Sequence, residues 1–287
     1  MTRGPLIDLA YVRLAGKSPE RETFLTQIMG LQKVEGRNGD LAFRSDDRYH
    51  TVAVETDDEA FAIGVEVDDD HALERLRASF GDAGFSFSEV GAADCERRFV
   101  RRAIAAHDGS GNRIDFVVRP ARSGRRYFGT RDAGVLGLAA VGIRSLDIAR
   151  DTAFWLAAGA IVSDHVGEIT YLRFDALHHR IALYPSERAG LLYATFAVEN
   201  LDCIMQNFYH LQERQIRILH GPGRETASGQ NFVRFADSHG QMFAFGSDMI
   251  RIDESRHRPR QFTPDRFGLC AWGSECREAP ELSLPSV

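Results

Sequence analysis

Apolar and polar residues alternate over several short stretches of the chain, and this period of two is typical of β-strands with one buried face. Residues 7–14 (IDLAYVRL) form the first such stretch. Ser18, Pro19 and Glu20 then supply an N-cap, a proline at the first helical position and an acidic first turn. The pattern therefore predicts a strand followed by a helix that continues to about Met29.

The same alternation continues through the first half of the chain. Short strands are predicted at residues 40–43 and 51–54, and a second unit begins with a strand at residues 60–67 and a helix at about residues 70–80. A closing strand is predicted at residues 113–118 (RIDFVV). The unit is thus βαβββ, and it is used twice in this half.

A long internal repeat relates the two halves of the chain at a constant offset of 129 residues. The matches are Arg21 with Arg150, Glu22 with Asp151, Thr23 with Thr152, Arg44 with Arg173, Asp46 with Asp175, His50 with His179, and DGSGNRIDF at 108–116 with DSHGQMFAF at 237–245. A repeat of this length indicates two copies of one domain, because solenoid units are about 20–50 residues long. We expect an N-terminal domain at residues 1–131 and a C-terminal domain at residues 132–287. Four tandem βαβββ modules predict an α+β fold with mostly antiparallel sheets.

Three stretches of the sequence carry a family resemblance. FLTQIMGLQKVEGRNGDLAFRSDDR (24–48), HHRIALYP (178–185) and GPGRETASGQNFVRFADSHGQMF (221–243) resemble the two-domain type I extradiol dioxygenases, the dihydroxybiphenyl dioxygenases of the vicinal oxygen chelate superfamily. The resemblance extends from about residue 6 to residue 250. It implies that each half forms an open, cup-like sheet, that the N-terminal cup is structural, and that the C-terminal cup holds Fe(II) through two histidines and a glutamate.

The positions that the resemblance assigns to these three iron ligands hold other residues here. They are Ala140, Tyr193 and Ala244. A methyl group cannot bind iron, and a phenol with a pKa of about 10 is a poor ligand for a divalent ion at neutral pH. The sequence therefore predicts a relative that has lost its metal triad, with no metal and no organic cofactor.

The adjacent histidines His178 and His179 allow two interpretations. The family residue that matches His179 moves a proton beside the oxygen-binding side, so the resemblance implies a catalytic role. His50 occupies the same place in the N-terminal half, however, and a packing role stays equally open. His178 should face the opposite way on a strand and be exposed, although it is kept among the candidate substrate-binding residues.

Further candidates border the cavity that the resemblance implies. The family's second active-site histidine corresponds to Glu225, and its tyrosine corresponds to Phe235. Tyr193, His220 and Glu225 join His179 as candidate acids, bases or proton donors. Four residues are predicted to contact substrate in addition to His178: they are Arg224, which could hold an anion, and Ala140, Phe235 and Ala244. Tyr193 and His179 are expected to point into one pocket, and Ala62 and His50 into a closed cup.

Three functions fit these residues. The first is a metal-independent enzyme that acts on a hydroxylated aromatic, polyketide-type or enolisable ring compound by acid/base chemistry: isomerisation, hydration, C–C cleavage or cofactor-free oxygenation. The second is a non-catalytic small-molecule binding protein. The third is an extradiol ring-cleavage dioxygenase with atypical metal ligands, which Ala140 and Ala244 disfavour.

The net charge and the absence of long apolar stretches limit the partners and the location that we expect for this protein. The formal net charge of −6 argues against nucleic acid, because binding to phosphates requires clustered cations. No stretch of 18 apolar residues and no apolar signal sequence is present, so we expect no membrane partner and a cytoplasmic location. Four widely spaced cysteines, Cys95, Cys203, Cys270 and Cys276, are expected to stay reduced.

The carboxyl-terminal segment, residues 253–287, shows neither helical nor strand periodicity, yet it contains Phe262, Phe267, Leu269 and Trp272. Such residues require a surface to cover. We expect the segment to pack over the chain itself or over a neighbouring subunit, and the family resemblance implies a homo-oligomer.

Overall fold

The structure, a computed structural model, describes residues 4–56, 61–276 and 278–283. Ala60, the expected first residue of a strand, lies outside the described residues, as do Arg277 and residues 284–287 of the carboxyl-terminal segment. Within the described residues no helix has the length and apolar character needed to span a membrane.

Eight strands form the N-terminal sheet. They are β1 (Leu6–Leu14), β2 (Gln32–Val34), β3 (Leu41–Arg44), β4 (Val52–Val54), β5 (Ala62–Val67), β6 (Phe87–Glu89), β7 (Val100–His107) and β8 (Arg113–Pro120). Their order across the sheet is β2-β3-β4-β1-β5-β8-β7-β6. Strands β1 and β5 pair antiparallel at the centre, whereas β1 with β4 and β5 with β8 pair in parallel. Each half of this sheet is therefore one βαβββ module.

The C-terminal sheet repeats this arrangement and adds one strand at each edge. Its strands are β9 (Val135–Ser145), β10 (Ile161–Val166), β11 (Ile169–Arg173), β12 (Ile181–Pro185), β13 (Gly190–Val198), β14 (Ile218–Glu225), β15 (Asn231–Ala236), β16 (Met242–Ser247), β17 (Arg260–Phe262) and β18 (Cys270–Gly273). Their order is β17-β10-β11-β12-β9-β13-β16-β15-β14-β18. The predicted α+β fold with four βαβββ modules is confirmed.

One helix connects the first two strands of each module. The helices are α1 (Pro19–Thr23), α2 (Asp70–Ala83), α3 (Ala92–Arg97), α4 (Ile148–Ala157), α5 (Leu201–Glu213) and α6 (Arg266–Leu269), with a π-helical turn at Phe24–Ile28 and a 3-10 turn at Pro280–Leu282. The connecting helices are α1, α2, α4 and α5; α3 lies between β6 and β7, and α6 lies between β17 and β18. The long helices begin where the sequence supplies a cap: Asp69, Asp147 and Asn200 each accept a hydrogen bond from a backbone N–H of the first turn. The helix that the sequence predicts to about Met29 consists of α1 and the π-helical turn that follows it.

The first helix of each half reaches across to the other half. Phe24 packs against Phe235 and Phe243 of the C-terminal sheet, with ring centroids 6.0 and 5.6 Å apart. Phe154 of α4 packs against Phe80 and Phe116 of the N-terminal half, at 5.0 and 6.2 Å. One continuous hydrophobic core therefore lies on the helix side of both sheets.

The carboxyl-terminal segment closes the C-terminal sheet. Strand β17 pairs in parallel with β10, and β18 pairs antiparallel with β14. Strands β10 and β14 are the edge strands of the eight that correspond to the N-terminal sheet. The segment thus packs on the chain itself and forms short strands that its sequence did not indicate, because edge strands supply the hydrogen bonds that three or four residues cannot make alone. Leu269 packs inward, whereas Phe267 and Trp272 stay 68% and 44% exposed.

Candidate functional site in the C-terminal cup

Alternation along the strands of the C-terminal sheet separates a helix face from a cup face. Ala194 and Phe196 belong to the helix-side core, so Thr195 between them faces the cup. Thr195 is opposite Ala140 on one neighbouring strand and Ala244 on the other. Tyr193 lies two residues earlier on the same face. The three positions that the resemblance assigns to iron ligands therefore share the floor of the cup.

Arg234 fills the cup at the place where the sequence analysis put Phe235. Arg234 is opposite Ala244 and shares its face, whereas Phe235 packs in the helix-side core at 5.1 Å from Phe245. The assignment of Phe235 to substrate binding is therefore wrong. The correct position is one residue earlier, and a shift of one residue along a strand moves the side chain to the opposite face of the sheet.

The guanidinium of Arg234 is the centre of a buried polar cluster. It pairs with the carboxylate of Glu225 and donates to Nδ1 of His220 over 3.2 Å. Its Cζ atom lies 4.8 Å from the centroid of the Tyr193 ring and 4.1 Å from that of Phe232. Its Nε–H is buried and has no hydrogen-bond partner. A fixed positive charge thus occupies the cup directly beside Ala244.

Glu225 is ionised although it is buried. Burial alone would raise the pKa of its carboxyl, but the guanidinium of Arg234 lowers that pKa below its ordinary value. Glu225 also accepts a hydrogen bond from the hydroxyl of Ser228. The pair is therefore internally neutralised, and removal of either partner would leave an uncompensated buried charge.

Three tyrosines, Tyr171, Tyr184 and Tyr193, pack around this ion pair. All three are almost completely buried, and the hydroxyls of Tyr184 and Tyr193 are 3.0 Å apart. Burial, as the largest cause, raises the pKa of each phenol well above its ordinary value. At neutral pH the cup therefore contains phenol groups and no phenolate.

These side chains do not fit the metal that the fold implies. Two of the three expected ligand positions are methyl groups, and the third is a phenol that keeps its proton. The guanidinium of Arg234 lies against the Tyr193 ring, and a second cation there would be repelled. Within the described ranges no group of three or more histidine, cysteine, aspartate or glutamate side chains could hold a metal ion.

His178 and His179 lie in the connection before β12, and both are completely buried. The rings of the two histidines pack against Tyr171, with centroids 5.4 and 4.9 Å from its ring. The expectation that His178 would be exposed is wrong, because strand alternation does not apply before Ile181, where β12 begins. Nε2 of His178 instead hydrogen-bonds to Asp164 over 2.9 Å, an acid that the sequence analysis did not identify.

His220 connects the buried cluster to a cavity. The cavity measures about 380 Å³ and lies between β14 and the carboxyl-terminal segment; its walls include His220, Arg266, Leu269, Cys270 and Cys276. Burial, and after it the guanidinium of Arg234, lower the pKa of His220 to about 3. His220 is thus a neutral imidazole with Nδ1 facing Arg234 and its other edge towards the segment.

Arg224 lies outside the cup. It is exposed, it is opposite Trp272 of β18, and its Nε donates to the carbonyl of Gly229 over 3.0 Å. Its neighbour Glu225 faces inward, so alternation along β14 turns Arg224 away. The assignment of Arg224 to substrate binding is therefore wrong, and Arg234 is the arginine of this site.

The expectation that Tyr193 and His179 point into one open pocket is wrong: both are buried in the same interior, but aromatic and charged side chains fill it. The open space adjoins His220 and not these two residues. In the N-terminal cup, Ala62 and His50 are likewise buried, and His50 stacks on Tyr11 with ring centroids 5.2 Å apart. The predicted closed N-terminal cup agrees with this packing.

Comparison with known proteins places the fold. No protein-family model matches the chain, and no curated protein matches it. Solved structures match over nearly the whole chain. BphC, described as a halotolerant catechol dioxygenase, has a TM-score of 0.86 at 16% identity, with 97% of each chain covered. A catechol 2,3-dioxygenase has a TM-score of 0.86 at 18% identity and covers 98% of this chain and 99% of its own.

A third match is the Mn(II)-bound glyoxalase from Novosphingobium aromaticivorans, with a TM-score of 0.85 at 21% identity, covering 98% of this chain and 95% of its own. Identities this low show the fold alone. The chain therefore has the two-domain vicinal oxygen chelate fold that extradiol dioxygenases and glyoxalases share.

Proposed function

We propose that the C-terminal cup binds a small hydroxylated aromatic or enolisable ring compound and transfers protons on it without a metal or an organic cofactor. One observation carries this proposal: the floor of the cup, where the fold's metal would lie, holds the guanidinium of Arg234 paired with Glu225. A fixed cation there can stabilise an oxyanion as a metal ion would, but it cannot activate oxygen by electron transfer.

The unpartnered groups of the cup define the ligand chemistry. Nε–H of Arg234 is a buried donor without an acceptor, and Nε2 of His179 is a buried ring nitrogen without a partner. A molecule that carries a carbonyl or phenolate oxygen near a hydroxyl would satisfy both. Catechols and enolised diketones have this pairing. The tyrosine rings supply the flat apolar walls that such a ring requires.

Proton transfer to and from carbon is the reaction that these residues support. A base removes the proton next to a carbonyl, the electron pair moves onto the oxygen, and Arg234 stabilises the enolate; return of the proton at another position completes an isomerisation. His179, His220 and Glu225 are the candidate acids and bases, and Tyr193 is a candidate proton donor. Access is through the cavity beside His220, whose size suits a small-molecule site. Contact with His179 and Arg234 requires the tyrosine side chains that fill the cup to move aside.

The solved structures support the substrate class. Two of them are described as catechol dioxygenases, so hydroxylated aromatic rings fit cups of this shape. A cytoplasmic location and a homo-oligomeric state remain part of the proposal.

Metal content and proton exchange together test the proposed function. The purified protein, treated with EDTA, is incubated in D₂O with a cyclic 1,3-diketone, and exchange of the carbon-bound proton is followed by NMR; binding of 2,3-dihydroxybiphenyl is measured by calorimetry. We expect binding, and exchange above the buffer rate, in protein without bound iron or manganese. Arg234→Met should abolish both, and the matched outward-facing control Arg224→Met should retain both.

Two results separate the alternatives. Binding without exchange would identify a small-molecule binding protein and overturn the catalytic part. About one equivalent of iron or manganese, with a yellow ring-fission product from a catechol, would overturn the metal-independent mechanism.

A further inference from the structure

A chain of hydrogen bonds leads from the carboxyl-terminal segment into the C-terminal cup. The backbone N–H of Arg260 donates to Oδ1 of Asp164 over 2.7 Å, and its guanidinium donates to Oδ2 over 2.6 Å. Oδ2 also forms a hydrogen bond of 2.9 Å with Nε2 of His178. Nδ1 of His178 then lies 3.1 Å from Nδ1 of His179. Asp164 and both histidines are completely buried.

With a neutral His178, the hydrogen bonds of this chain can be assigned donors and acceptors in only one way. Burial alone would raise the pKa of Asp164, but the hydrogen bonds from His178 and Arg260 hold it well below its usual range, so its oxygens can only accept. His178 must therefore carry a proton on Nε2. In a neutral imidazole Nδ1 is then a lone pair, and the contact between the histidines requires a proton on Nδ1 of His179.

We infer that Asp164 and His178 are positioning residues that fix the tautomer of His179, so that its Nε2 presents a lone pair to the ligand. This inference rests on the proposed function, because the ligand hydroxyl or acidic C–H is the group that Nε2 accepts. The carboxyl-terminal segment takes part through Arg260, which occupies the remaining acceptor sites of Asp164.

The surroundings of His179 agree with this role. Its Nε2 is buried without a hydrogen-bond partner, and a buried ring nitrogen without a partner is costly unless a ligand satisfies it. The ring packs against Tyr171 inside the cup. Burial lowers the pKa of His179 to about 3, so the ring stays neutral at physiological pH.

The described residues of the N-terminal half contain no such chain around His50. Tyr49 stands at the position equivalent to His178, 129 residues earlier, and its hydroxyl donates to the carbonyl of Glu35 over 3.2 Å. His50, the counterpart of His179, stacks on Tyr11 and packs at a tilt against Phe99. His50 is therefore an internal control for any measurement on His179.

Histidine tautomers can be read directly from ¹⁵N NMR of the ring nitrogens in the full-length protein at pH 8. We expect the proton on Nε2 of His178 and on Nδ1 of His179. In Asp164→Asn, the side-chain oxygen should remain on the backbone N–H of Arg260, which places the NH₂ group against His178. Nε2 of His178 must then accept, and both histidines should exchange tautomers, while His50 stays unchanged.

The opposite tautomers in the wild type, or unchanged tautomers in Asp164→Asn, would overturn the inference irrespective of activity. In the proton-exchange assay, Asp164→Asn should lower turnover by about 10²- to 10⁴-fold, the usual contribution of a positioned base, with a smaller change in KM. Exchanged tautomers with unchanged turnover would remove His179 from the reaction. Expected tautomers in a protein that binds neither probe would instead show that the proposed function fails while the hydrogen-bonded chain stands.

Discussion

The N-terminal and C-terminal cups place their buried charges on different strands. In the N-terminal cup the closing strand β8 carries Asp115, which accepts from Arg98, Arg113 and Tyr11 over 3.0, 2.9 and 3.0 Å. In the C-terminal cup the equivalent position on β16 is Ala244. The buried charge there comes from the next strand, where Arg234 has Glu225 as its single carboxylate partner.

This difference agrees with our proposal that the C-terminal cup, and not the N-terminal one, binds a ligand. Asp115 is surrounded by donors that satisfy it, so the N-terminal cup has little to offer a ligand. Arg234 retains a buried N–H without a partner, and His179 retains a buried ring nitrogen. Both copies thus keep a polar interior. Among the described residues, Nε of Arg48 in the N-terminal half is buried without a partner, whereas Arg234 and His179 bring two such atoms to the C-terminal cup.

The largest expected effect comes from removal of the central arginine of the C-terminal cup. Arg234→Met should lower the free energy of unfolding by about 3–5 kcal/mol, because Glu225 is left buried and unpaired. Arg113→Met should cost about 1 kcal/mol or less, since Arg113 is partly exposed and Asp115 keeps its other donors. Urea unfolding measures both.

The double variant Arg234→Met, Glu225→Gln should regain part of the loss, because no buried charge remains. Equal losses in the free energy of unfolding for Arg234→Met and Arg113→Met would show that the two arginines contribute equally to stability. That result would contradict the difference between the two cups.

A glycine under a tyrosine ring is the feature that both cups share. A Cβ atom at Gly142 would lie 2.5 Å from the ring of Tyr193, and one at Gly64 would lie 2.6 Å from the ring of Tyr11. Gly142→Ala and Gly64→Ala should each cost about 1–3 kcal/mol through overpacking. Urea unfolding measures both losses. Only Gly142→Ala should also weaken binding of 2,3-dihydroxybiphenyl, and loss of binding in Gly64→Ala would contradict the assignment of the site.

Acid should destabilise both cups through their buried histidines. Burial is the largest cause that lowers the pKa of His50 to about 4 and of His179 and His220 to about 3. Between these values and about 6.5 the unfolded chain binds more protons, so stability falls as the pH falls below 6.5, by up to about 1.4 kcal/mol per pH unit for each histidine.

His50→Gln and His179→Gln should each reduce this slope by one histidine's share between pH 6 and pH 4.5, as measured by urea unfolding at several pH values. Asp108, whose pKa is raised to about 6 chiefly by burial, opposes the slope below pH 6, but it does so equally in all variants. An unchanged slope in either variant would show that the histidine is protonated in the folded state.

The smallest effect is expected at the edge of the C-terminal cup. Arg260→Ala removes the side-chain bonds to Asp164 but leaves the backbone N–H, and the arginine side chain is 50% exposed, so the cost should be about 1 kcal/mol. Hydrogen exchange should increase in β10 and β17 and stay unchanged in the N-terminal sheet. Faster exchange in both sheets would contradict a local effect.

Much of the fold could be predicted from the sequence because the two halves of the chain repeat each other. The offset of 129 residues and the alternating strands define two cups, and the first helix begins at Pro19, directly after its predicted cap Ser18. The candidate site was less accessible. Phe235 and Arg234 differ by one position, and only the pairing of Arg234 with Ala244 shows which of them faces the cup.

The remaining misses have the same kind of cause. Strand alternation does not apply to His178, because His178 lies in a connection before β12. The segment of Arg224 borders the cup, but neighbours on a strand face opposite ways, and Arg224 faces outward. Asp164 lies on β10 and reaches His178 only through the fold. Its role could not be predicted from its spacing in the sequence.

The exchange of Phe24 and Phe154 between the halves also bears on how the chain acquires its structure during synthesis. Phe24 emerges from the ribosome early, but its partners Phe235 and Phe243 are made about 210 residues later, so its side of the N-terminal half stays uncovered until translation is nearly complete. We expect the two halves to unfold in one transition, and a second transition in urea would disprove this. A single transition would mean that the two halves behave as one cooperative unit, in which neither half completes its core until the other is made.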